Sequence, residues 1–157
     1  MQEETVLYNK VLKEEEELVF AHISQDDLIQ LGFMIHQANQ GYPGPVAVMI
    51  RLNGKEVFSC YPEGTGEFHR MWLERKANTV HVREMSSLRA YLLLQQNNED
   101  IEKDWFLPAQ EYAACGGGFP IRLKDGSVVG EICTSGLSHV EDHEILVKGL
   151  KRFLESR

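Results

Sequence analysis

The chain lacks any apolar run near the roughly 20 residues that a membrane-spanning helix needs. It is short of positive charge, with 16 Lys and Arg against 24 Asp and Glu and a formal net charge of -8. That balance speaks against a general binder of nucleic acid or anionic membranes, both of which favour a basic surface. Cysteine is scarce: Cys60, Cys115 and Cys133 are widely separated and form no CxxC pair, which fits reduced thiols better than a disulfide frame or a structural zinc ribbon. GxGxxG, GxxxxGK, HExxH, the GxSxG elbow and CxxCH are all absent, so dinucleotide, P-loop, zincin, α/β-hydrolase and covalently attached haem chemistries have no motif. The opening "MQEETVLYNK" has neither the basic start nor the apolar core of a secretion signal, and the expected location is the cytoplasm.

What is present reads as one globular domain over residues 1–157, with 43% apolar and 25% charged residues and no repeat or linker. Val6, Leu7, Val11 and Leu12 recur at helical spacing and predict an amino-terminal helix over 1–17, packed on the domain or on a second copy. "ELVFAHI" predicts a short strand. Ser24 before Asp26 and Asp27 opens a helix that Gly41 closes. "VAVMIRL" and "KEVFSCY" flank Asn53-Gly54, the dipeptide of a type I′ hairpin turn. Residues 67 to about 97 predict two helices or one bent one, and "FPIRL" and "SVVGEICTS" flank "KDG" as a second hairpin. Ser138 with Glu141 caps a carboxy-terminal helix over 138–155. Five strands arriving largely as hairpins, with helices on the faces, make an α+β fold.

"WLERKANTV" (72–80), "GGGFPIR" (116–122) and "VVGEICTSGLSHVEDH" (128–143), in this order and spacing, carry a resemblance. The chain resembles a family of uncharacterised bacterial and fungal proteins grouped with the haem-degrading, GlcG-like domain superfamily. The resemblance implies a profilin-like α/β/α sandwich on a five-stranded antiparallel sheet flanked by helices, a homo-oligomer, and haem as a candidate cofactor. The family pattern commonly carries a histidine before the glycines and a proline after "SGL", where this chain has Cys115 and Ser138. A thiolate replacing an imidazole ligand would change the metal preference of the position.

The candidate ligand-binding residues are Arg75, Lys76, Asn78, Cys115, Gly116, Gly117, Gly118, Phe119, Ser135, Gly136, Asp142 and His143. Arg75 and Lys76 suit a carboxylate or phosphate, or form an exposed basic patch paired with Glu74. The three glycines offer backbone N–H groups to an anion, or simply form a bend where side chains would clash. Asp142 complements the helix dipole, which also disfavours protonation of His143 and keeps a ring nitrogen free as base or ligand. Phe68, Trp72 and Phe119 are candidates for an apolar pocket wall, or for core. His139 and His143 share a helical face without forming a known zinc motif, and no metal ligand set or catalytic residue is assigned. A Cys115–His143 thiol–imidazole pair is an alternative to an inert thiol.

These readings point to a small-ligand-binding domain, for haem or a small anionic metabolite, without nucleic-acid or membrane partners. The alternatives are an oligomeric assembly or adaptor protein without catalysis, and a metal-dependent enzyme.

Overall fold

The computed structural model describes residues 2–157. Helix α1 (Gln2–Glu17) leads into α2 (Gln25–Ala38), which is followed by the hairpin β1 (Ala47–Leu52) and β2 (Lys55–Cys60). Two helices, α3 (Glu67–Arg83) and α4 (Ser87–Asn97), precede the long loop 98–117. The second hairpin, β3 (Gly118–Arg122) and β4 (Val128–Ser135), then runs into α5 (His139–Glu155).

Local chemistry explains most of these boundaries. Ser24 and Asp27 form a reciprocal capping box at the start of α2. Asn53 and Gly54 both take positive φ, as the tight turn between β1 and β2 requires. Ser138 accepts a hydrogen bond from the Glu141 N–H, 3.3 Å, and caps α5. Glu84, in the left-handed region, ends α3, and the Ser86 hydroxyl starts α4 by accepting from the Arg89 N–H, 3.1 Å. The stretch 67–97 is therefore two helices.

All four strands pair antiparallel in the order β2-β1-β4-β3. The expected fifth strand is corrected: "ELVFAHI" is reduced to a single parallel bridge between Phe20 and Leu123. There Phe20 donates to the Arg122 carbonyl and accepts from the Lys124 N–H, each at 2.9 Å. The next step of a parallel ladder would need the Leu18 N–H, which instead donates to the Glu14 carbonyl, 2.9 Å, at the end of α1, so the pairing stops at one bridge.

The sheet separates two helical layers. On one face Val48, Ile50, Phe119, Ile121 and Ile132 bury against Leu31 and Ile35 of α2 and Leu146 and Leu150 of α5. On the other, Ala47, Met49 and Cys133 meet Leu73 and Ala77 of α3. Val11 of α1 packs on Leu88 and Leu92 of α4 at the side.

Candidate functional site

The glycine run sits where three elements converge. A side chain on Gly116 would strike the His139 carbonyl at the start of α5. One on Gly117 would strike the Thr134 carbonyl of β4 and stand 2.7 Å from Lys76 Nζ. Gly118 lies against Ser87 Oγ, 2.8 Å, and Val80 Cγ2, 2.9 Å, from a hypothetical Cβ. Gly117 also takes φ of +120°, a region only glycine enters freely. Two of the run's amides are spent on the protein: Gly116 N–H donates to His139 Nδ1, 3.0 Å, and Gly118 N–H to Ser87 Oγ, 2.8 Å. The run is a packing corner that fixes the surrounding side chains.

Beside this corner lies a cleft of about 380 Å³. Phe68, His69 and Trp72 of α3 form one wall, with Phe68 and Trp72 in an edge-to-face contact at 6.3 Å. Cys115, Ser135, Gly136, Leu137 and His139 form the other, and Lys76 and Asp142 lie at the base. The volume falls in the roughly 300–1,000 Å³ range of small-molecule sites.

The base is a buried ion pair. Lys76 Nζ stands 3.1 Å from Asp142 Oδ2, with both side chains 3% exposed, and also donates to the Thr134 carbonyl at 2.8 Å. Asp142 Oδ1 accepts from the Leu137 N–H, 2.9 Å. Burial pushes the Asp142 carboxyl above its ordinary range, with Lys76 opposing the shift. Burial likewise raises the Cys115 thiol, against the pull of Lys76, and disfavours the thiolate. His139 is pushed down, first by burial and then by Lys76. Because its Nδ1 accepts from Gly116, the ring is the neutral tautomer with its hydrogen on Nε2. His69 Nδ1 likewise accepts from a backbone amide, the Gly66 N–H at 3.1 Å.

Of the candidate residues, the structure brings Lys76, Cys115, Ser135, Gly136 and Asp142 together on the cleft. Arg75 turns away: its Nε and Nη2 both donate to the Ala109 carbonyl, at 3.0 and 2.6 Å, and its guanidinium lies 4.3 Å over the Trp72 ring. Asn78 donates to the Glu111 carbonyl, 2.8 Å, so both residues pin the long loop. Phe119 is core. His143 does not line the cleft; its Nε2 meets Glu14 Oε1 of α1 at 2.7 Å in the interior, and Nδ1 is buried without a partner among the described residues. Cys115 lines the cleft and His143 does not, and the His143 ring meets Glu14 rather than the Cys115 thiol. Cys60 and Cys133 lie on strands, and burial lifts the Cys133 thiol to about 12.

Sequence reasoning passed over His69 and Leu137, and valued His139 only as half of a metal pair. It also missed Glu14, for which a signal exists: Val11, Glu14 and Glu15 follow i, i+3, i+4 and are the buried face of α1. Among the described residues no cluster of three or more His, Cys, Asp or Glu is placed to hold a metal ion. No helix among them is long and apolar enough to cross a membrane.

Fold and cleft define an α+β sandwich with a mainly apolar cleft beside the start of its last helix, and the fold is shared with solved structures. The Ybr137w protein matches with a TM-score of 0.85 at 26% identity, over 95% of this chain and 88% of that one. A PduOC:heme complex matches with a TM-score of 0.66 at 22% identity, over 82% and 93%. In sequence, a UPF0303 protein of Schizosaccharomyces pombe is 34% identical over 153 residues, covering 96% of this chain and 86% of the relative. The haem-degrading, HbpS-like protein family matches residues 23–151, and the chain belongs to it.

The cleft does not suit ligation of haem iron. Its possible axial ligands are His69, His139 and Cys115. Both imidazoles have committed the Nδ1 lone pair to a backbone N–H, leaving a hydrogen on Nε2, and the thiol is held protonated by burial.

Proposed function

We propose that the chain is a small-ligand-binding domain whose ligand seats in the cleft between α3, the glycine corner and the start of α5. Haem-type tetrapyrroles are the first candidates. The observation that carries this reading is the pairing of an aromatic wall, Phe68 and Trp72, with a polar base held rigid by the Lys76–Asp142 pair. Phe68 is 67% exposed, so the wall presents apolar surface to solvent as well as to the cleft. Membership of a haem-degrading family supports the ligand class, and the exposed wall leaves room for the part of a macrocycle that extends beyond the cleft.

Self-association is the second reading, and the open β2 edge favours it. Ile29, Phe33 and Tyr61 are exposed near that strand, whose outer backbone groups have no partner among the described residues. The proposal places the assembly surface there, away from the cleft.

Native mass spectrometry of protein purified without added cofactor, then titrated with haemin, tests both readings. One haemin per chain, with uptake lost in Trp72→Ala, is the expected result, and the same spectra report the subunit count. Non-stoichiometric uptake unaffected by Trp72→Ala removes haem from the account.

A further inference from the structure

The polar lining of the cleft is dominated by hydrogen-bond donors. An ammonium has three donors, and Lys76 spends two, on Thr134 and Asp142. The Ser135 hydroxyl, in a residue only 6% exposed, has no protein partner among the described residues. His139 keeps one polar atom without a partner among the described residues, Nε2, and the Gly116 amide fixes it as a donor. The available oxygens of Asp142 and Thr134 already accept from within the chain. His139 is the first residue of α5, so the partial positive charge of that helix terminus falls on the same wall. Phe68, Trp72 and Leu137 supply apolar surface above these donors.

We propose that the cleft recognises its ligand by a carboxylate, held by Lys76, Ser135 and His139 Nε2–H with the apolar body against Phe68 and Trp72. Recognition is then independent of any metal the ligand carries. This inference rests on the ligand-binding reading above and gives that ligand a chemical class, a flat or apolar acid. It makes His139 a donor to the ligand rather than a ligand to iron. Lys76 contributes a shared proton donor rather than a free charge, because Asp142 already balances it.

Three probes separate the possibilities: haemin, metal-free protoporphyrin IX, and protoporphyrin IX dimethyl ester, in which both acids are masked. Haemin and the free acid are expected to bind within about threefold of each other, and the ester at least about tenfold more weakly, the loss of a charge-assisted contact. His139→Ala is expected to weaken both acids by about tenfold and to leave the Soret position of bound haemin unchanged. Haemin binding far tighter than the free acid, with a Soret band that moves in His139→Ala, overturns the inference while the ligand-binding reading stands. Should none of the three bind saturably, the tetrapyrrole reading fails. The inference is then read on a smaller aromatic acid, 1-naphthoate, against its methyl ester: saturable binding of the acid alone, weakened in His139→Ala, upholds it, and equal behaviour of acid and ester, or hydrogen on His139 Nδ1 by imidazole nitrogen NMR, overturns it.

Discussion

The two faces of the sheet are built on different terms. Against α2 and α5, side chains such as Ile50, Ile121 and Ile132 meet Leu31, Ile35 and Leu146 in a continuous apolar seam. Under α3 the apolar contact shrinks to Ala47, Met49, Leu73, Ala77 and Cys133, and buried charge flanks it. Arg51 and Glu131, cross-strand partners 2.8 Å apart, stand at one end, and Lys76 and Asp142 close the other. Both faces come from the same strands, since β4 sends Ile132 one way and Glu131 and Cys133 the other. The first face supplies stability by area. The second gives up part of that area for fixed polar groups, and the cleft opens on it.

If that division holds, substitutions on the two faces fail in different ways. Leu31→Ala deletes a fully buried side chain from the seam. It is expected to cost up to about 5 kcal/mol, read as a fall in the urea midpoint, with ligand affinity of the folded fraction unchanged. A changed affinity would join the faces that the comparison separates. Lys76→Met is expected to cost about 3 kcal/mol at pH 7, because it strands Asp142 as a buried, unpaired carboxylate. Its pH dependence identifies the cause. The Asp142 carboxyl already lies above its ordinary range, and losing Lys76 raises it further. A raised carboxyl contributes stability below its unfolded value and loses it as pH climbs through the folded value. The defect in Lys76→Met should therefore shrink between pH 7 and pH 5. A defect that is constant or grows on acidification means that packing, not charge, was lost.

Much of the apolar face was legible in the sequence, because it depends on local period and caps. Leu28, Leu31 and Ile35 mark the buried side of α2, and Asn53-Gly54 places the first hairpin. The fifth strand misread because "ELVFAHI" has strand composition, while α1 runs through Glu17 and keeps the Leu18 N–H for the Glu14 carbonyl, which leaves Phe20 to make a single bridge to Leu123. The polar face was legible as a list of residues but not as an arrangement. Arg75 and Lys76 are adjacent in sequence, yet one helical step of about 100° sends the first to the loop carbonyl of Ala109 and the second to Asp142. His139 and His143 do share a helical side, but one turn carries His143 inside, to a Glu14 that only the docking of α1 could supply. Such pairings across long sequence separations have no local signature.

The glycines offer the smallest and most discriminating contrast. Gly54 and Gly117 both take positive φ, +82° and +120°, so alanine carries a backbone cost at either position, about 1 kcal/mol at Gly54 and more at Gly117, which lies farther from the left-handed region open to other residues. Around Gly54 an added Cβ meets nothing within 4 Å among the described residues. At Gly117 it meets the Thr134 carbonyl and the Lys76 ammonium, two of the groups that shape the base of the cleft. Gly54→Ala should thus lower the urea midpoint slightly and leave binding alone. Gly117→Ala should cost about 1–2 kcal/mol more, because the extra atom must displace β4 backbone or the Lys76–Asp142 pair. It should also weaken the binding of metal-free protoporphyrin IX. Equal effects at the two positions would mean that the glycine corner tolerates a side chain, and that the cleft does not depend on the close approach of residues 116–118 to α5 and β4.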